Sequence, residues 1–325
     1  MPRAVVCQEL SSDHTAIEDV PSRPLARGEY RIAVHAAGLN YPDVLMLRGG
    51  YQFKPELPFT PGMEGAGVVT EAGSDAGGRY KVGDRVVIGV RNGAFAEEAI
   101  VEADRMMPLP DTFSFEEGAS FRVAATTAIH ALRDRAALQA GETLLVHGAG
   151  GGVGLAAVEF GKLSGARVIA CASSEEKLAA AKQKGADDLV LYDREPFRDA
   201  VKRLTDQNGA DVIFDPVGGK VLEESLRCMA WGCRVLIVGF TGGYGLVRSN
   251  LLLIKNATML GVRAGETLRR DPAKVAEREE TLLDLMRKGH MRPLISQTVP
   301  LEQFRDAFAT LDERRAIGRV VLTMR

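Results

Sequence analysis

Residues 142–172, ETLLVHGAGGGVGLAAVEFGKLSGARVIACA, contain the segment that determines the fold of this chain. Residues 143–147 form a short, mostly apolar run that stops at glycine, which indicates a strand rather than a helix. Apolar side chains then recur at helical spacing through Phe160, Gly165 closes that helix, and residues 167–172 begin another strand. Five glycines separate the first strand from the helix, at positions 148, 150, 151, 152 and 154.

A glycine-rich turn between a strand and a helix is typical of dinucleotide binding. A diphosphate reaches the helix N-terminus only where no Cβ shields the backbone N–H groups, and the helix dipole favours negative charge there. Ala149, Gly151 and Gly154 give AxGxxG, a variant of the GxGxxG pattern. The alternative is a purely structural turn in an α/β sheet. We predict diphosphate binding by Gly150, Gly151, Gly152, Val153 and Gly154.

The composition excludes several classes of protein. The 325 residues are 46% hydrophobic and 26% charged, with a formal net charge of −2, which does not suggest a nucleic-acid or membrane surface. The four cysteines are scattered and two of them adjoin apolar runs, which favours buried thiols over a disulfide framework. The N-terminal residues lack the long apolar stretch of a signal peptide. We expect a cytoplasmic protein without nucleic-acid or membrane partners.

The pattern of predicted secondary structure changes near residue 115. Up to about residue 110, short strands broken by Gly and Pro predict a β-barrel or sandwich. Residues 115–132 read as helix, and six apolar runs then alternate with helical segments up to about residue 264, which predicts a doubly wound parallel sheet. The late strand GRVVLTM, residues 318–324, has no place in that sheet, so we expect it to return to the first domain.

Eight segments of the chain follow one another in the order of a known family: GLNYPDVLMLRGGY (38–51), PGMEGAGVV (61–69), VGDRVV (82–87), the pair Thr127-Ala128, HGAGGGVG (147–154), KGADDLVLY (184–192), FDPVGG (214–219) and GRVVL (318–322). In these segments the chain resembles the medium-chain dehydrogenases/reductases, and within them the zinc-independent quinone oxidoreductases of the zeta-crystallin group. The resemblance covers essentially the whole chain. It implies an α/β fold: a GroES-like, β-rich catalytic domain (residues 1–120 and 266–325) and an inserted Rossmann domain (121–265).

The resemblance implies no metal site. The zinc-dependent branch of the family uses an early Cys and a His-Glu pair as ligands, and the matching positions here hold Asn40 and Met63-Glu64. Zinc needs three or four soft or imidazole ligands at fixed spacing, and no Cys cluster is present in the sequence. An alcohol is then a poor substrate, because its hydroxyl must be deprotonated before hydride leaves.

The second Rossmann strand predicts NADPH rather than NADH. NAD-preferring folds place an acid at its end to bind the ribose 2′-OH, but here the strand ends in Ser173-Ser174, and Lys177 can supply charge to a 2′-phosphate. In the alternative interpretation, Ser173 and Glu176 form a capping box and Lys177 is a solvated surface residue. The resemblance places Tyr192 near the adenosine phosphate.

The resemblance places the reacting end in the cleft between the domains. We predict Asn40, Tyr51 and Thr127 as catalytic residues, and Phe240, Gly242 and Arg319 as further cofactor-binding residues. The expected reaction is hydride transfer from NADPH to a quinone. The alternative is reduction of an enone, alkenal or enoyl-thioester C=C bond, with Tyr51 as the proton donor.

Two further expectations concern partners. A third possibility is a non-enzymatic role, since relatives serve as lens or RNA-associated proteins, but no basic stripe supports RNA binding.

Relatives of this type are usually homodimers, and the apolar residues 251–262 fit the sheet edge that joins two copies, although their own helices could equally cover them.

Overall fold

The computed structural model describes residues 1–11, 14–76 and 78–324 of the chain. These residues fall into two compact units: Met1–Val123 with Val275–Arg325, and Ala124–Lys274. The strands in chain order are β1 (Arg3–Cys7), β2 (Thr15–Asp19), β3 (Glu29–Gly38), β4 (Glu64–Ala72), β5 (Arg85–Gly89), β6 (Glu98–Glu102), β7 (Met106–Pro108), β8 (Thr143–Val146), β9 (Arg167–Ala172), β10 (Asp188–Leu191), β11 (Ala210–Asp215), β12 (Met229–Ile237), β13 (Thr258–Gly261), β14 (Ile295–Pro300) and β15 (Arg319–Thr323).

Helices connect most of these strands. The α-helices are α1 (Tyr41–Leu47), α2 (Phe115–Gly118), α3 (Arg122–Ile129), α4 (Gly152–Leu163), α5 (Glu175–Gln183), α6 (Phe197–Leu204), α7 (Gly219–Ser225), α8 (Ser249–Lys255), α9 (Ala264–Arg270), α10 (Ala273–Arg287) and α11 (Phe304–Asp312). A π-helical segment, His130–Arg135, extends α3. In the described ranges, no helix combines the length and the apolar character needed to cross a bilayer.

The first unit is the predicted β-rich domain. Its main sheet runs β14-β15-β3-β4-β5-β7, with β6 also paired to β3, and β1 and β2 form a separate two-stranded sheet. The predicted return of the last strand is confirmed, because β15 pairs antiparallel with β3, with Val321 opposite Gly38. Large side chains such as Tyr30, Phe95 and Met106 are fully buried between the sheets and α11.

The second unit contains the predicted parallel sheet. The six apolar runs form β8 to β13 in the order β10-β9-β8-β11-β12-β13, and every pairing is parallel. The strands β9 and β11 flank β8, so the strand order reverses at the carboxyl end of β8. This is the switch point where doubly wound sheets bind their ligands.

Two predicted elements were wrong in detail. The helix expected over residues 115–132 is broken, since α2 ends at Gly118 and α3 begins at Arg122. The break lets Phe121 turn into the core, where it is 1% exposed. The region 251–262, expected at the sheet edge, is helical in its first part as α8, and only β13 is a strand.

Candidate functional site

The glycine turn joins β8 to α4 within the second unit. Gly148 has a φ of +56°, which favours glycine, and its carbonyl accepts the N–H of Gly151 at 3.0 Å. A Cβ on Gly154 would lie 2.2 Å from the carbonyl oxygen of Gly148. The helix therefore rests directly on the turn, and Gly154 is required for that approach.

The amide end of α4 fits a diphosphate. Gly151 is the N-cap, and Gly151, Gly152 and Val153 are partly exposed, whereas Gly154 is buried. The first N–H groups of a helix have no intrahelical partner and carry the positive end of its dipole. The nearest atom to a Cβ on Gly151 would be the carbonyl oxygen of Gly148, at 3.5 Å. The five predicted turn residues thus meet in one place that a dinucleotide can occupy.

The end of β9 lies against the same turn. A Cβ on Gly150 would be 2.4 Å from the Cβ of Lys177, so that lysine packs on the glycines. The Lys177 ammonium lies 3.3 Å from the hydroxyl oxygen of Ser173. Ser174 is the N-cap of α5, and its hydroxyl accepts the N–H of Lys177 at 3.3 Å. The capping box expected from Ser173 and Glu176 in the alternative interpretation is therefore wrong, because the capping residue is one position later.

A chain of buried hydrogen bonds lies beneath the turn. The Nδ1 of His147 is 2.9 Å from the hydroxyl of Tyr192, and its Nε2 is 2.8 Å from the hydroxyl of Ser225. The N–H of Gly148 also donates to the Tyr192 hydroxyl, at 3.4 Å. Burial lowers the pKa of His147 to about 3, so its imidazole is neutral, and burial raises the pKa of Tyr192 well above its ordinary value. No local sequence pattern marks His147 or Ser225 as site residues.

The loops after β11 and β12 stand at the same sheet edge. The carboxylate of Asp215 accepts the N–H groups of Val217 and Gly218, at 2.7 and 2.9 Å, which fixes the first loop. The N–H of Gly242 donates to the carbonyl of Val217 at 2.6 Å. Phe240 is 39% exposed. The predicted residues Phe240 and Gly242 therefore lie on a loop that the β11 loop supports.

A second polar cluster lies inside the first unit, around Asn40. Its side-chain oxygen accepts from Arg319 at 2.9 Å, and its amide donates to Glu64 at 3.0 Å. Arg319 and Glu64 also form an ion pair, and Glu64 accepts the N–H of Val123 at 2.9 Å. Burial raises the pKa of Glu64, and the Arg319 charge opposes that shift. The arginine predicted to bind cofactor thus lies 5% exposed between Asn40 and Glu64.

The residues predicted to be catalytic are Asn40, Tyr51 and Thr127. Asn40 is the N-cap of α1, and Asp43 accepts its N–H at 2.8 Å and that of Gly62 at 3.2 Å. Burial is the main cause that raises the pKa of Asp43 to about 7. Tyr51 follows α1 and packs on the core of the first unit, while Thr127 lies partly buried on α3.

Metal-ligating side chains do not cluster in the part of the chain that the structure describes. Across residues 1–11, 14–76 and 78–324, no three or more His, Cys, Asp and Glu side chains are grouped so as to hold an ion. All four cysteines are buried and free, as the sequence predicted.

Comparison with known proteins agrees with both units. Residues 26–111 match the family described as alcohol dehydrogenase GroES-like domain, and residues 152–286 match the zinc-binding dehydrogenase family. The chain is 41% identical to quinone oxidoreductase-like protein 2 of Rattus norvegicus, over 99% of this chain and 92% of the relative.

Solved structures show the same architecture. A mycobacterial protein complexed with NADPH is 28% identical with a TM-score of 0.91, and the match covers 99% of this chain and 100% of that one. A quinone oxidoreductase of Pseudomonas syringae is 28% identical with a TM-score of 0.89, at the same coverage.

The glycine turn at the switch point, taken with these relatives, identifies an oxidoreductase that uses a nicotinamide cofactor. The chain belongs to the medium-chain dehydrogenase/reductase superfamily.

Proposed function

We propose that this chain is an NADPH-dependent quinone oxidoreductase. The choice of NADPH depends on one observation, the Ser173–Lys177 pair that packs on the glycine turn. The choice of a quinone is supported by relatives named quinone oxidoreductase, including one from Rattus norvegicus that is 32% identical over 90% of this chain. When bound, NADPH supplies the hydride that reduces the acceptor.

The electrostatics at the end of β9 support a 2′-phosphate. An Asp or Glu at this position would accept a hydrogen bond from a ribose hydroxyl but would repel a phosphate. Ser173 is exposed and offers a hydroxyl donor, and Lys177 adds a positive charge 3.3 Å from it. Charged hydrogen bonds to phosphate are among the stronger polar contacts. The pair therefore favours the dinucleotide that carries the additional phosphate.

The polar cluster around Asn40 supports a quinone as the acceptor, because a quinone has no hydroxyl that the protein must deprotonate. The amide of Asn40 is engaged on both sides, by Glu64 and by Arg319. A quinone becomes a stabilised anion once it receives hydride, so it requires little acid help from the protein. Tyr51 remains the residue we assign to proton donation if the acceptor is an enone.

Dissociation constants for NADPH and NADH test the choice of cofactor. Lys177→Ala should weaken NADPH by roughly 10- to 100-fold, equivalent to about 1.5–3 kcal/mol for a charged hydrogen bond, and should leave NADH within about threefold. Lys182→Ala is the matched control, because Lys182 lies on the same helix and donates to the carbonyl of Ala186. Equal wild-type affinities for the two dinucleotides would refute the assignment.

An absorbance assay at the NADPH band tests the choice of acceptor. We expect NADPH oxidation with small ortho- and para-quinones, and no reduction of NADP⁺ by primary alcohols. Turnover of alcohols without turnover of quinones would contradict the proposed function.

We also propose that the protein is a homodimer joined through the β13 edge of the parallel sheet. That strand ends the sheet, and Leu253 and Ile254 on the preceding helix are 81% and 61% exposed. Unpaired edges beside exposed apolar side chains favour association. Sedimentation should find two copies per particle, and Leu253→Asp should reduce this to one. Leu163→Asp, at a residue 44% exposed on α4, is the control.

A further inference from the structure

An exposed ion pair between Arg194 and Glu175 lies beside the end of β9. The Nη2 of Arg194 is 2.6 Å from the Glu175 carboxylate, and the two side chains are 74% and 55% exposed. Exposed ion pairs contribute little to stability, so the guanidinium can change or share its partner at low cost. This mobile cation stands next to the residues that we assign to the 2′-phosphate.

The backbone sets Arg194 next to Ser173. The edge strand of the parallel sheet, β10, pairs with β9 and places Leu191 opposite Ala172. The N–H of Tyr192 donates to the carbonyl of Ala172 at 3.1 Å, and Ser173 follows Ala172 in the chain. The N–H of Arg194 donates to the carbonyl of Leu191 at 3.2 Å, which closes the turn after β10. The Arg194 side chain therefore starts at the same edge of the sheet as Ser173 and reaches the first turn of α5.

The first turn of α5 carries more negative than positive charge. Glu175 and Glu176 both lie there, directly ahead of Lys177. The Glu176 carboxylate accepts from its own backbone N–H and from the Ser174 hydroxyl, which lowers its pKa, so it is ionised at neutral pH. A single lysine beside two carboxylates does not offset the charge of a phosphate bound at the end of β9. A second cation is needed there, and Arg194 can supply it because it already contacts Glu175.

We propose that Arg194 is a specificity residue for the 2′-phosphate of NADPH: it donates to that phosphate beside Ser173 and Lys177, and it neutralises Glu175. A guanidinium has five N–H donors in a planar fork, so a carboxylate on one side leaves donors for phosphate oxygens on the other. The ribose 2′-OH of NADH carries no charge, so Arg194 adds little to the binding of NADH. This inference rests on the proposed use of NADPH.

Arg194→Ala tests the proposal without disturbing the core, because the side chain is exposed. We expect the dissociation constant for NADPH to rise roughly 3- to 10-fold and that for NADH to stay within about twofold. Adenosine 2′-monophosphate, which carries the phosphate but no diphosphate, should weaken by the same factor as NADPH in competition titrations. Arg167→Ala is the matched control, because Arg167 pairs with Asp188 at 2.9 Å between the same two strands, at their opposite end.

Glu175→Gln separates a direct contact with the phosphate from simple charge neutralisation. On its own it should tighten NADPH by up to about threefold, because it removes a negative charge beside the phosphate. Adding Arg194→Ala to Glu175→Gln should still weaken NADPH, since the donor to the phosphate is then lost. If the double variant binds NADPH as tightly as Glu175→Gln does, Arg194 only neutralises its neighbour and the inference is overturned.

Failure of this inference is distinguishable from failure of the proposed function. A wild-type preference for NADPH that Arg194→Ala leaves unchanged would overturn the role of Arg194 and leave the cofactor in place. Equal wild-type affinities for NADPH and NADH would refute the proposed cofactor and, with it, the 2′-phosphate that Arg194 is assigned to bind.

Discussion

The substitution of Gly154 by alanine gives a direct test of how the turn is built. The added Cβ would lie 2.2 Å from the carbonyl oxygen of Gly148 and 2.9 Å from the Cα of Ala149. Both neighbours are backbone atoms, so no side chain can rotate away. The helix or the turn must move by about 1 Å before the contact becomes an ordinary one, which requires at least 3.4 Å.

The expected cost follows from that displacement. Overpacking at a rigid site destabilises by about 1–3 kcal/mol, and this clash belongs at the upper end. The higher helix propensity of alanine offsets up to about 1 kcal/mol of this loss of stability. The net loss is about 2 kcal/mol, which corresponds to a melting temperature roughly 4–8 °C lower for a unit of this size.

Gly151→Ala is the matched control. Its Cβ would meet only the Gly148 carbonyl oxygen, at 3.5 Å, and its φ of −85° suits any residue. We expect a melting temperature close to that of the wild type, but weaker NADPH binding, because the methyl group would stand between the diphosphate and the helix amides.

Thermal unfolding followed by circular dichroism, with fluorescence titration of NADPH, separates the two effects. Gly154→Ala should lose both stability and affinity, and Gly151→Ala should lose affinity alone. Wild-type stability in Gly154→Ala would refute the packing argument. Wild-type affinity in Gly151→Ala would refute the diphosphate assignment.

Three further predictions concern buried polar groups and the acceptor. Tyr51→Phe should leave the rate of quinone reduction within about threefold of the wild type but should reduce any enone activity by roughly 100-fold, because only an enolate carbon must be protonated. Steady-state rates test this, and a large loss of quinone reduction would contradict the assigned role of Tyr51. Glu64→Gln removes the carboxylate that pairs with the buried Arg319 and should destabilise the fold by about 3–5 kcal/mol in thermal melts. Glu71→Gln is the control and should change the stability little, because the Glu71 side chain is 54% exposed in its ion pair with Arg31; equal effects of the two variants would refute the argument. The folded-state pKa of His147 is about 3 and its unfolded value about 6.5, so the unfolded state takes up the proton first. The contribution of His147 to the free energy of unfolding should be fully present above pH 6.5 and should be lost as the pH falls toward 3, with a slope that approaches about 1.4 kcal/mol per pH unit. Denaturant titrations should show a flatter slope for His147→Gln. An unchanged slope would contradict the neutral imidazole.

The parallel sheet could be predicted because its signals are local. Each of its strands is a short apolar run that ends at glycine or another turn residue, and the turn after β8 carries five glycines in seven positions. The strands β2, β7 and β14 were missed, since runs such as TAIED and MMP have neither the length nor the alternation of a strand. The apolar run in α8 was placed at the sheet edge because four apolar residues alone do not distinguish a helix from a strand.

The candidate site was only partly predictable, for a different reason. The glycines, Ser173 and Lys177 lie in one continuous segment, so their proximity follows from the strand–turn–helix order. The bond from His147 to Ser225 spans 78 positions, and the bond from Arg319 to Asn40 spans 279. Contacts at such separations depend on the tertiary fold, which local patterns do not specify.

The pairing of β15 with β3 has a consequence for synthesis on the ribosome. Residues of the second unit form one continuous stretch, so that unit can fold as soon as it has emerged. The sheet of the first unit must wait for Arg319, and until then Glu64 lacks the cation that it faces in the finished protein. The segment translated first therefore completes its fold last, and during that interval the end of β3 that β15 covers, at residues 36–38, is open to other nascent chains.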